Sequence, residues 1–169
     1  MFNIVQFLGV ISLIIGVLMV QQKKKENLLI LMASLFVVLA IQYALTGKIT
    51  GLVVAIIIIT RSIVYLIYAK KGLTPNVYVL TFFMVILAVV AVVTWQNIFS
   101  LLPPMATMAI TWGTWQNNMK FNRLTLLFGK VCFAVYALIA GMYTAMLGHG
   151  LEVLAVSYAI LNYDIARKK

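Results

Sequence analysis

Residues 50–69 read TGLVVAIIIITRSIVYLIYA, and the only formally charged side chain among them is Arg61. At 1.5 Å per residue such a helix is about 30 Å long, the thickness of the hydrocarbon core of a bilayer. The run is apolar on every side, which a helix lying on a soluble core is not. Lys70 and Lys71 follow at once, as if at a membrane face. The stretch is therefore expected to cross a membrane with an arginine inside it.

The rest of the chain has the same character. Of 169 residues, 64% are hydrophobic and 9% charged, with a mean hydropathy of +1.10, against an apolar share of about 45 to 50% in soluble domains. Short polar stretches cut the apolar sequence into helices expected at 4–20, 27–46, 50–69, 76–95, 98–116, 123–146 and 148–166. The connections are QQKKKE (21–26), GKI (47–49), KKGLTP (70–75), QN (96–97), QNNMKFN (116–122) and GHG (148–150). A β-barrel would alternate apolar and polar residues in segments of about ten, and these runs do not. The predicted fold class is all-α: a polytopic membrane protein with seven transmembrane helices.

Charge gives this arrangement a direction, because short cytoplasmic loops hold the excess of lysine and arginine. Lys23, Lys24, Lys25, Lys70, Lys71, Lys120, Arg123, Arg167, Lys168 and Lys169 fall on one side of a seven-span arrangement, with Lys48 on the other. An N-outside, C-inside orientation in a bacterial cytoplasmic membrane is expected. The net charge of +10 reads as a topology signal and as attraction to anionic lipid head groups, with nothing pointing to nucleic acid. The first span lacks a basic leader and a small-residue cleavage site, so it is expected to be retained as a helix.

Enzymatic chemistry finds few materials. Cys132 is the only cysteine, which excludes an internal disulfide and a cysteine-based metal site. His149 is the only histidine, and Glu26, Glu152 and Asp164 are the only acids. No catalytic residue, metal or cofactor is expected.

An internal repeat organises the chain. Residues 1–69 and 98–169 each hold three helices, and a basic, amide-rich loop follows the first helix of both, VQQKKKENLL and WQNNMKFNRL. A glycine pair marks the next turn, Gly47 with Gly51 and Gly148 with Gly150. The segment 70–97, a loop and a linker helix, stands between. A single intervening span restores a parallel orientation, so two parallel three-helix bundles joined by a linker helix are predicted.

This 3+1+3 plan resembles the SWEET and PnuC type of small transporter. LLPPMATMAITWGTWQNNMKFNRL (101–124), with TGKITGLVVAIIIITRSIVY (46–65) before it, is similar to the YgjV family of bacterial inner-membrane proteins. The shared features are Leu-Leu-Pro, a Thr-Trp pair, a polar-basic loop, and an arginine in the third helix after a glycine-containing turn. The resemblance implies a SWEET-like fold and a transport role whose substrate the family does not settle. SWEET-type proteins carry a Pro-Gln pair in the first helix of each unit, whereas this chain has Pro103 and Pro104 in its fifth span and no proline in its first. The asparagine expected on the third helix of each unit is replaced by IIII ahead of Arg61, with Asn162 alone available in the second unit.

The candidate substrate site is built on Arg61 and Trp112, supported by Gln42, Thr111, Lys130, Tyr136 and Asn162. Tyr65 and Tyr68 follow Arg61 at i+4 and i+7, which favours an inward face; a structural tie to carbonyls, head groups or Asp164 is the competing reading. Lys130 is expected at nearly the depth of Arg61 with no acid at that level. The two cations either snorkel separately or form a basic site for an anionic ligand. Thr107, Thr111 and Thr114 share one face of the fifth span, as a cavity lining or as small residues for helix packing. Pro103 and Pro104 are expected to break the hydrogen-bond ladder and serve as a gate. His149 and Glu152, at an outer mouth, could titrate.

The expected function is movement of a small polar solute by alternating access. A non-transporting assembly or regulatory partner and a lipid-handling protein are the rivals. A homodimer is compatible with this plan but not required, since both bundles lie in one chain.

Overall fold

The computed structural model describes residues 2–47, 49–95, 97–139, 141 and 143–165. It is all-helical among these residues, with seven α-helices: α1 (Phe2–Val20), α2 (Lys25–Leu45), α3 (Ile49–Lys70), α4 (Val77–Val93), α5 (Leu102–Trp115), α6 (Met119–Ile139) and α7 (Tyr143–Ile160). A 3₁₀ turn, Ile98–Leu101, leads into α5, and a π-helical turn, Leu161–Ile165, ends α7. Lys25–Leu45, Gly51–Lys70, Met119–Ile139 and Ala145–Asp164 are long and apolar enough to cross a membrane, while Ile4–Val20 and Val77–Val93 are shorter apolar helices.

Helix α5 has 14 residues, or about 21 Å, and the four-residue 3₁₀ turn brings the helical stretch to about 29 Å. Pro103 and Pro104 lie in the first turn of α5. There a missing N–H leaves no intrahelical bond unmade, so the pair starts the helix. The expected break in the ladder does not occur, and the Pro103 carbonyl accepts from Thr107 Oγ1 at 2.8 Å.

The chain divides into two compact units, Met1–Leu73 and Thr74–Lys169. In the first, α2 is the central helix, packed against both α1 and α3, with Leu28, Leu29, Met32, Ala55, Ile58 and Tyr65 in its core. In the second, α6 packs between α5 and α7, and α4 lies on α5; Ala106, Ile110, Leu126, Val156 and Ala159 are buried there. The linker helix of the 3+1+3 plan thus belongs with the second unit. Its outer face carries Val85, Val89, Val92 and Val93, all more than half exposed, as a surface turned to acyl chains would be.

One boundary differs from expectation. The last two helices meet in a turn at Gly141, not at GHG (148–150), and Gly148–Gly150 lies inside α7. Gly141 has φ +69°, a conformation that ends helices at little cost only for glycine, and its N–H donates to the Leu138 carbonyl at 3.1 Å. Gly47, after α2, has the same φ of 69°. The counterpart of Gly47 in the second unit is therefore Gly141.

Helices α5 and α6 approach closely. A Cβ on Gly113 would collide with the Thr125 hydroxyl, and one on Gly129 would lie 2.6 Å from Ile110 Cδ1 and 3.2 Å from the Ala106 carbonyl. Small residues at such crossings are how helices gain packing in lipid, where no hydrophobic force joins them.

Candidate functional site

The moved boundary sets the position of the charged side chains. With α6 running from Met119, Lys130 is about 16 Å from the helix start, and with α7 running from Tyr143, Glu152 is about 14 Å from its start. The two mid-helix groups meet: Lys130 Nζ lies 2.7 Å from Glu152 Oε2, with side chains 9% and 7% exposed. The expectation that Lys130 had no acid at its level is overturned, because Glu152 lies in the body of α7 and not in an outer loop. His149 Nδ1 is 3.0 Å from the same oxygen, and Phe133 of α6 stacks on its ring, centroids 5.4 Å apart and planes 26° from parallel.

A second ion pair lies in the same unit. Arg123 Nη1 donates to Asp164 Oδ1 at 2.7 Å, the side chains being 3% and 9% exposed, and its guanidinium carbon sits 5.2 Å from the Tyr163 ring centroid. The π-helical turn supplies both Tyr163 and Asp164. Asp164 is thus the partner of Arg123. Asn122, one residue before, is fully buried, and neither atom of its side-chain amide has a hydrogen-bond partner among the described residues.

Arg61 is 1% exposed and Tyr65 is fully buried in the first unit, so the i+4 spacing read from the sequence does mark the inward face of α3. Arg61 Nη2 lies 3.0 Å from Met32 Sδ of α2. Ser62 beside it is buried and bonds the Ile58 carbonyl at 2.7 Å. Gln42, half-buried, donates through Nε2 to the Val5 carbonyl of α1 at 3.3 Å.

The other predicted residues separate within the second unit. Thr111 is fully buried and bonds the Thr107 carbonyl at 2.7 Å, as Thr114 bonds that of Ile110 at 2.8 Å. Trp112, 48% exposed, lies on the unit's surface edge-to-face with Phe121, centroids 5.3 Å apart. Adjacent positions point about 100° apart on a helix, so Thr111 and Trp112 cannot face one spot. Tyr136 is half-buried and Asn162 exposed. Trp115 donates through Nε1 to the Pro75 carbonyl at 2.7 Å, fastening the end of α5 to the loop before α4.

Of the predicted set, Lys130 is therefore the residue drawn into a charged cluster within its unit. The sequence reading passed over Glu152 and His149 as its partners; the i, i+3 spacing of the two was the available signal, but it pointed nowhere while Gly148 and Gly150 were taken for a turn. No group of three or more histidine, cysteine, aspartate or glutamate side chains among the described residues could hold a metal ion.

No curated protein and no solved structure matches the chain. A family model described as bacterial inner membrane protein, Imp-YgjV, matches residues 3–167. With its apolar helices and buried charges, the chain thus belongs to the YgjV family of bacterial inner-membrane proteins.

Proposed function

We propose that this protein moves a small polar solute across the inner membrane. The observation that carries the reading is the Lys130–Glu152 pair, 2.7 Å apart and buried in the middle of apolar helices. Desolvating both ions costs several kcal/mol each, and well-packed apolar side chains would hold the helices together equally well. Ionisable groups at this depth mark solute or ion pathways more often than they mark packing. Arg61, 1% exposed in α3, adds a buried cation to the other unit.

In this reading the chain is multi-pass with its N-terminus outside and its C-terminus cytoplasmic, the two units alternate in access, and the protein is a transporter and not an enzyme. Its substrate is a small molecule for which a cationic lining favours negative charge, its other contacts are lipids, and a homodimer is compatible with it. A thermal-shift screen of the purified protein against sugars, nucleosides, vitamins, amino acids and organic anions, repeated on Arg61→Ala, tests it. A solute that raises the melting temperature of the parent only, as binding to the native state must, supports the reading and puts Arg61 at the site.

The rival, a non-transporting membrane protein, is favoured by one set of contacts. Gln42 bonds the neighbouring helix, and Thr107, Thr111 and Thr114 bond their own, as packing residues would. No stabilising solute, together with a plain loss of stability in Arg61→Ala, moves that reading ahead.

A further inference from the structure

The loop end of the second unit closes over a side-chain amide. Helices α5 and α6 reverse direction through residues 116–118. Gly113 packs on Thr125 just below that turn, and Gly129 packs on Ile110 deeper in the same seam. Asn122 shares a face of α6 with Thr125 and Gly129, at i+3 and i+7. It therefore lies on the α5 side of its helix, about 5 Å from the start of α6. Asn122 is fully buried, while Asn117 and Asn118 in the turn are exposed.

The groups around this amide are already engaged. Asn118 Oδ1 accepts from the N–H groups of Lys120 at 3.0 Å and Phe121 at 3.3 Å. The Asn122 N–H donates to the Asn118 carbonyl at 3.0 Å, and the Asn122 carbonyl accepts from Thr125 Oγ1 at 2.9 Å. Thr114 of α5 gives its hydroxyl to the Ile110 and Thr111 carbonyls, at 2.8 and 3.1 Å. Neither Nδ2 nor Oδ1 of Asn122 has a partner among the described residues. A second open group lies at the same end of the unit: Asp164 bonds Arg123 through Oδ1, and its Oδ2 has no partner among the described residues.

A buried amide with donor and acceptor both open is costly, and lipid offers it nothing to bond. Leucine has nearly the same shape without that cost. Any state that brings a polar group to the amide recovers the lost bonds, so the closed packing is biased toward opening on its loop side. The amide presents an acceptor and a donor side by side. An anion has no donor for Oδ1, and a cation has no acceptor for Nδ2. An uncharged group with both meets the pair at once, as one amide meets another. The neighbouring Arg123–Asp164 pair adds no net charge.

We propose that Asn122 is the binding residue of an occluded polar site, covered by residues 116–118, which takes an uncharged donor–acceptor group of the primary-amide type. Water completes the amide's bonds when the site is open and empty. This names a group carried by the solute of the transport reading above and rests on that reading for its purpose, but the opening can be read with no solute present.

The experiment measures modification of the full chain in lipid vesicles by a small water-soluble methanethiosulfonate present on both faces. In the parent the only thiol is Cys132, buried in the body of α6, and it gives the rate of a sealed position. Thr114→Cys in a Cys132→Ser chain puts a thiol of similar size at a fully buried position near the turn. It is expected to react about tenfold faster than Cys132, and Asn122→Leu to slow it by about tenfold while raising the melting temperature by about 2 to 4 °C. Acetamide should protect the thiol, whereas N,N-dimethylacetamide, which has no donor, and acetate, an anion, should not. A Thr114→Cys thiol as slow as Cys132, a rate unchanged by Asn122→Leu, or a lower melting temperature in that variant overturns the site and makes Asn122 a packing residue. Modification that acetamide does not slow overturns the ligand class. A sealed Asn122 alongside solute stabilisation in the screen above would defeat the site and leave transport standing. The reverse pair of results would defeat transport alone.

Discussion

At the scale of single residues, a buried ion pair is expensive to make and more expensive to break. Removing one partner of such a pair costs about 3 to 5 kcal/mol because the other charge is left buried, whereas replacing both by apolar side chains is near neutral or stabilising. Glu152→Gln and Lys130→Met should therefore each lower the stability of the protein in detergent by about 3 to 5 kcal/mol. The double variant Lys130→Met/Glu152→Leu should return to within about 1 kcal/mol of the parent while losing any solute-dependent stabilisation, and thermal unfolding checks both. A loss in the double variant equal to the sum of the two single losses would mean that the charges do not interact. Arg61 is a separate case, lying against Met32 inside the first unit. Arg61→Met keeps the stem and removes the charge, so it is expected to lose the thermal shift that an anionic solute gives the parent. Arg61 was visible in the sequence because a cation amid isoleucines stands out. The meeting of Lys130 with Glu152 was not, since it depends on where two helices begin.

Helix ends and helix crossings decide the next scale. The apolar spans could be read from composition, yet the turn between α6 and α7 was misplaced because Gly141 sits in an apolar run while Gly148 and Gly150 flank a histidine. Polarity suggested GHG; conformation required Gly141, whose φ is +69°. Gly141→Ala should cost about 1 to 2 kcal/mol, and Gly148→Ala, within α7, should be neutral or stabilising, as measured by thermal unfolding of each. Pro103 and Pro104 were misread in a related way, since a proline pair breaks a helix that is already under way but begins one at its first turn. The Thr107, Thr111, Thr114 face was correctly grouped by spacing, but periodicity cannot say whether a buried face meets a cavity or a neighbour. At Gly113 the neighbour is Thr125. Gly113→Ala is predicted to destabilise by about 1 to 3 kcal/mol through overpacking, and Thr125→Gly in the same chain should recover part of the loss.

For the molecule as a whole, the structure divides into two units at Leu73–Thr74, with α4 grouped with the second. What a repeat cannot give is sidedness, and here α5 is decisive. Its 14 residues are too few to cross alone, at about 21 Å against a core of about 30 Å, and only with the 3₁₀ turn does the stretch reach about 29 Å. The Trp115 Nε1 bond to the Pro75 carbonyl holds the end of α5 beside the loop at 71–76, so the loop at 116–118 shares its side and any crossing by α4 is matched by one back through α5. Cysteine labelling shows which side that is in a Cys132→Ser chain, since Cys132 is the only native thiol. For the N-outside arrangement, Thr46→Cys should react with an impermeant maleimide in intact cells, and Lys71→Cys and Asn117→Cys only after the membrane is opened. Reaction of Asn117→Cys and Lys71→Cys in intact cells, with Thr46→Cys protected, would invert the chain. It would also place the N-terminal end of α7, and with it the His149 side of the charged cluster, toward the cytoplasm.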